Sequence, residues 1–205
     1  MIRTNYDDAT RISYEWSNQI KLALFKSGLP YTDCIGDGAT RNFVEKQMTM
    51  HDIKTVLFYG HGEPDGWQLT GQDRFAIFDH TNIHLLKDKL IYAVACYSGK
   101  NLGRLTTSTG TGCFIGYEGE FRFSSISKDD TMACANSGVL KMISNGCTGI
   151  QALNAIRKTL KEKMSIMRDR IFGSDFQPLL IYSHLLRLHC FLVIHGNVDK
   201  TLHSA

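Results

Sequence analysis

The sequence predicts an α/β protein, a three-layer α/β/α sandwich around a mostly parallel central sheet of about six strands. Three observations carry this. Short apolar runs alternate with helix-period segments through the first two-thirds of the chain, the order that builds a parallel sheet with helices on both faces. Two runs, Lys54–Tyr59 and Lys89–Ala95, show no polar alternation, as strands covered on both faces should. At 205 residues, with 43% apolar and 21% charged residues, the chain suits one compact domain over 1–205 with a full core.

In order, Met1–Tyr6 reads as a strand end and Asn5-Tyr6-Asp7-Asp8 as a loop, with Asp7 or Asp8 placed to cap a helix. Ala9–Ser27 spaces Ile12, Trp16, Ile20 and Leu24 for that helix, and Gly28 and Pro30 close it. Tyr31–Ile35 is a second strand, Gly36-Asp37-Gly38 a turn, and Arg41–Met50 a short helix. After the strand Lys54–Tyr59, the glycine-rich stretch Gly60–Gly71 loops out, with a hairpin around Trp67–Ile77. Asn82–Lys87 is one helical turn, Lys89–Ala95 a strand, and Lys100–Leu105 helical. Thr106–Gly112 is a loop before the strand Cys113–Tyr117. Helices over Asp129–Ser144 and Thr148–Arg170 follow, separated by the capping signal Asn145-Gly146. Leu180–Leu188 is a further helix and Cys190–His195 the last strand.

Composition narrows the function. A net charge of +3, with basic residues scattered, gives no ground for a nucleic-acid partner. The densest basic segment, Arg157–Arg170, is interleaved with Glu162, Asp169 and apolar positions, the pattern of a solvated helix face. None of the six cysteines forms a CxxC pair, which fits reduced thiols in the cytoplasm. No apolar run reaches the roughly eighteen residues of a membrane span, and the N-terminus lacks a signal-peptide plan. His80 and His84 stand four apart, but third and fourth metal ligands are not evident, so no metal is expected.

The chemistry concentrates in two rhyming stretches. Thr55–Gly62 is an apolar run ending on a histidine between glycines, and Leu90–Gly99 is another ending on a cysteine among small residues. In parallel sheets ligands gather at the carboxyl ends of strands. Neighbouring strands would bring His61 and Cys96 to about 5 Å backbone spacing. A thiol must become a thiolate to attack, and a histidine can take its proton. Attack on a carbonyl builds an oxyanion, for which the N–H groups of Gly62 and Cys96 are the candidate donors. The other cysteines read as core or structural.

These residues resemble the caspase-like (clan CD) cysteine peptidases, with the closest look to the CHAT branch. His61-Gly62 and Ala95-Cys96 match the two dyad motifs of that family. Phe114-Ile115-Gly116-Tyr117, the helix from Gly149, and Phe191–Gly196 with Asn197 are similar to its later elements, so the likeness spans nearly the whole chain. It implies a His61–Cys96 dyad, an acyl-enzyme intermediate, no cofactor and no required third catalytic residue. In relatives the selectivity pocket comes from the loop after the first strand and the segment around the fifth. The acids Asp7, Asp8, Glu118 and Glu120 would then select Arg or Lys before the cut, with Trp67 walling the cleft. Arg122 is the counterweight, favouring an acidic residue if it points inward. The implied partner is a protein substrate, a gasdermin-like or toxic protein in prokaryotic defence being one candidate. Control would come from a separate activator protein or from self-cleavage in Gly99–Gly112 or Phe121–Asp130. The rivals are a catalytically silent scaffold of the same fold and a thiol hydrolase or acyltransferase acting on a small molecule.

Overall fold

A computed structural model describes residues 1–108, 112–171 and 175–202. Its elements are β1 (Ile2–Arg3), α1 (Asp8–Ser27), β2 (Cys34–Ile35), α2 (Arg41–Met50), β3 (Thr55–Tyr59), β4 (His61–Gly62), β5 (Leu69–Thr70) and β6 (Ala76–Phe78). There follow β7 (Leu90–Val94), α3 (Leu102–Thr107), β8 (Cys113–Tyr117), α4 (Lys128–Asn145), α5 (Gly149–Arg170), α6 (Gln177–Phe191) and β9 (Leu192–Gly196). The central sheet runs β2-β1-β3-β7-β8-β9, parallel except for β9, and is sandwiched between helical layers as the sequence predicts.

Side chains alternate across this sheet as the pleat requires. Leu57, Tyr59, Leu90, Tyr92, Val94, Cys113, Ile115 and Tyr117 pack into a core shared with α1, α4, α5 and α6. Val56, Phe58, Ile91, Ala93 and Phe114 face the other way, toward Val44 of α2, Leu102 of α3 and the small sheet. The absence of polar alternation in β3 and β7 is therefore explained: both of their faces are interior. β1 is only two residues long, yet it carries the buried Arg3, 1% exposed. The guanidinium of Arg3 meets Asp33 bidentately, at 2.9 and 2.6 Å, and also donates to Ser17 and Asn18.

Three expectations shift in detail. The segment Gly60–Gly71 does leave the main sheet, but together with β6 it forms a three-stranded antiparallel sheet β4-β5-β6 in which His61 is itself a strand residue. The helix after Cys96 starts at Leu102 rather than Lys100, because residues 97–101 form a turn with Tyr97 at φ 53°. The last helix covers Gln177–Phe191, starting earlier because Pro178 sits in its first turn, where a missing N–H costs nothing. Residues 109–111 of the Thr106–Gly112 loop lie outside the described residues. All six cysteines are unpaired, and among the described residues no helix is long and apolar enough to cross a membrane.

Candidate active site

β3 and β7 lie side by side in strict register, from Thr55↔Leu90 to Tyr59↔Val94. The pairing reaches one step further, since the Gly60 N–H donates to Val94 O at 3.3 Å. Counting on from Tyr59↔Val94 sets His61 level with Cys96 at the carboxyl edge of the sheet. There the two chains part. His61 and Gly62 turn onto β5, while the chain after Cys96 bends back through Tyr97, Ser98 and Gly99. Gly62 stays hard against the cysteine: a Cβ at residue 62 would stand 2.1 Å from Cys96 O, so only glycine fits.

The backbone donors suit an oxyanion. Glu63 N–H donates to Gln68 O in the β4–β5 pair. In an antiparallel ladder successive N–H groups point to opposite sides, so that of Gly62 faces away from β5. Among the described residues the Cys96 N–H has no acceptor on another residue's backbone.

His61 and Cys96 line one small cavity of about 50 Å³, shared with Ala9, Thr10, Ser13, Gly60, Val94, Ala95, Phe121 and Phe123. A larger cavity, about 500 Å³, opens at the other end of the strands, between Met1, Leu24, Pro30, His51, Thr55 and Leu202, away from the thiol. The small one is where the reactive groups are. The Cys96 thiol is half-buried and tied to the backbone of Phe121, accepting from its N–H at 3.3 Å and reaching its carbonyl at 3.8 Å. Burial pushes this thiol up in pKa; the Phe121 N–H and Arg122 act against that, and Glu120 adds to it. Among the described residues no hydrogen bond joins Cys96 Sγ to the His61 ring.

His61 instead meets Asp7: its Nε2 lies 2.8 Å from Asp7 Oδ2. Asp7 is also the N-cap of α1, its Oδ1 accepting from the Thr10 N–H and hydroxyl, both at 2.8 Å. Burial works against ionising Asp7, but the bonds from Thr10 and His61 outweigh it and hold the carboxyl below its ordinary value. Tyr6 packs its ring against His61, centroids 5.7 Å apart, and burial raises its phenol to about 12.

The residues expected to form an acidic selectivity pocket do not converge. Asp7 is committed to His61 and Thr10. Asp8 is 89% exposed and pairs with Arg11. Glu118 pairs with Arg104 at 2.6 Å. Glu120 is held by Arg122 at 2.5 Å and by Arg187 at 3.1 Å. Of these four, none lines the Cys96 cavity, and neither does Trp67, which is 42% exposed on its loop. That loop hangs on the turn after Cys96: Leu102 N–H donates to Gly66 O and the Asn101 amide to Asp65 O. The walls that sequence reasoning missed are Phe121 and Phe123, which bracket Trp16 in an aromatic cluster. Their only signal was the repeated aromatic in Phe121-Arg122-Phe123. Among the described residues, those around His80 and His84 included, no three His, Cys, Asp or Glu side chains gather as ligands. Compared with known families, curated proteins and solved structures, the chain matches none.

Proposed function

We propose that the protein is a cysteine-type hydrolase that cuts peptide bonds, with Cys96 as nucleophile and His61 as its base. The observation that carries this is the register that sets His61 level with Cys96, with Gly62 packed on the Cys96 carbonyl. In the reaction His61 takes the thiol proton, the thiolate attacks the carbonyl, and the oxyanion meets the N–H groups of Gly62 and Cys96. The imidazolium then protonates the leaving amine. Water, deprotonated by the same ring, releases the acyl group from sulfur.

The described form is closed. Ligand pockets generally need about 300 Å³ or more, and the cavity of about 50 Å³ beside Cys96 cannot seat a peptide residue. Substrate must therefore displace the strap after β8, Phe121–Phe123, which both fills the cleft and holds the thiol. This favours control by a separate partner protein that moves the strap. For selectivity, the four acids offer no support for a preference for Arg or Lys. Arg122 and Arg187 share the single carboxylate of Glu120, so an acidic residue before the cut could take one of the two guanidiniums as its partner. A scaffold without activity is favoured only by the closed cavity and the buried thiol.

The test is a peptide library, read by mass spectrometry, with wild type, Cys96→Ala and His61→Ala. Cleavage by wild type alone is expected. Equal cleavage by Cys96→Ala, or none by wild type even after the strap is loosened, would sink the peptidase reading.

A further inference from the structure

We propose that Asp7 is the positioning residue of His61, its carboxylate taking the Nε2–H and leaving Nδ1 as the nitrogen that receives the Cys96 proton. This rests on the reading of His61 as a base.

Asp7 divides its two oxygens between two tasks. Oδ1 caps α1 through Thr10, and Oδ2 lies 2.8 Å from His61 Nε2. Capping does not call for a charge, since Asn and Ser cap as well as Asp. The helix N-terminus itself favours a negative charge only modestly, whereas a full positive charge forming on His61 gains much more from a carboxylate beside it. An ionised carboxylate has no proton to donate, so a hydrogen bond at this distance requires the proton on Nε2. That selects one tautomer and gives Nδ1 the lone pair.

The segment that carries Asp7 is anchored on both sides of the site. Thr4 N–H donates to Tyr59 O at 3.1 Å, and Asn5 N–H donates to the Gln72 side chain at 2.9 Å. Tyr6 closes one side of the imidazole. Thr10, two bonds from His61 through Asp7, lines the same cavity as the thiol. When the Sγ–H proton passes to Nδ1, the imidazolium charge is matched by Asp7, which stays ionised throughout. The proton leaves again from Nδ1 to the departing amine, so Asp7 neither gains nor loses one. The hydrogen bonds that keep Asp7 ionised are already in place before substrate arrives.

The discriminating variant is Asp7→Asn, which keeps a good cap and removes the charge. Three readouts apply: the melting temperature, the ¹⁵N shifts of the His61 ring, and the rate at which iodoacetamide labels Cys96, located by peptide mapping. The expected result is a cooperative melt only modestly lowered by loss of the Asp7 charge, an Nε2–H tautomer in wild type that is lost in Asp7→Asn, and Cys96 labelling at least several-fold slower. With a cleavable peptide, kcat should fall about 10²–10⁴-fold with KM retained, the size seen when an orienting carboxylate is neutralised in other hydrolases. An Nδ1–H tautomer in wild type, or labelling of Asp7→Asn at the wild-type rate, overturns the proposal and leaves Asp7 as a cap. Failure of wild type to cut any peptide counts against the peptidase reading alone, since the ring shifts and the labelling need no substrate.

Discussion

Gly62 has no room for a side chain, and the atom that denies it is the carbonyl oxygen of Cys96. Gly62→Ala must push two backbones apart, which costs about 1–3 kcal/mol or more. The variant should melt at lower temperature and lose cleavage beyond what the fraction unfolded explains. Asp7 makes a second prediction. Its carboxyl is lowered on folding, so it stabilises the fold fully above the unfolded-chain value, near about 3.9. That contribution is lost as pH falls through the lower folded value. Acid-unfolding curves of wild type and Asp7→Asn should therefore differ in mildly acidic buffer and converge in strong acid. His61 and Cys96 were legible because each closes an apolar run. The Asp7–His61 contact was not, because 54 residues separate the pair and the helix behind Asp7 already accounted for an acid there. That the four acids are engaged elsewhere was hidden for a related reason: residue type was visible, but partners such as Arg187, 67 residues from Glu120, were not.

Among elements, the strap after β8 decides whether the thiol is reachable. Phe123 is half-buried and stacks edge-on against Trp16 at 4.7 Å, while Phe121 leans on Tyr117 at the same distance. Phe123→Ala should cost less than the roughly 3–5 kcal/mol of a fully buried Phe and should open the wall beside Cys96. Faster iodoacetamide labelling of Cys96 at unchanged pH is the expected outcome; labelling no faster than wild type would mean that the strap does not gate the site. Sequence patterning placed β3, β7 and β8 because burial on both faces leaves a continuous apolar signature; the edge strands β2 and β9 are partly exposed and were located only by their apolar runs. It gave β4 no such signature: a two-residue strand is defined by its partner, Leu69–Thr70, rather than by its own composition.

For the molecule as a whole, the sheet and α1 are joined by buried polar groups as well as by apolar packing. Arg3 depends on Asp33, and removing one partner of a buried pair costs about 3–5 kcal/mol. Asp33→Ala should therefore lower the denaturant midpoint sharply, and with it the position of the segment that leads to Asp7. The layer order was readable because strands and helices alternate along the chain. The pairing of Arg3 with Asp33 depends on β1 and β2 being neighbours, which no local pattern encodes.

One further joint sits deeper. Asn136 of α4 is fully buried, accepts from the Tyr59 hydroxyl at 2.9 Å, and donates to Trp16 O and the Gln19 side chain, both at 3.0 Å. It thus links the strand before His61 to the helix that Asp7 caps. A slip of α1 by one residue is about 1.5 Å, enough to break a hydrogen bond that tolerates only a few tenths of an ångström. A genetic screen for loss of function should accordingly recover substitutions at Asn136, on a helix that contributes no atom to the cavity. Second-site suppressors of those substitutions would be expected in α1, where a change can restore the alignment that the lost amide had kept.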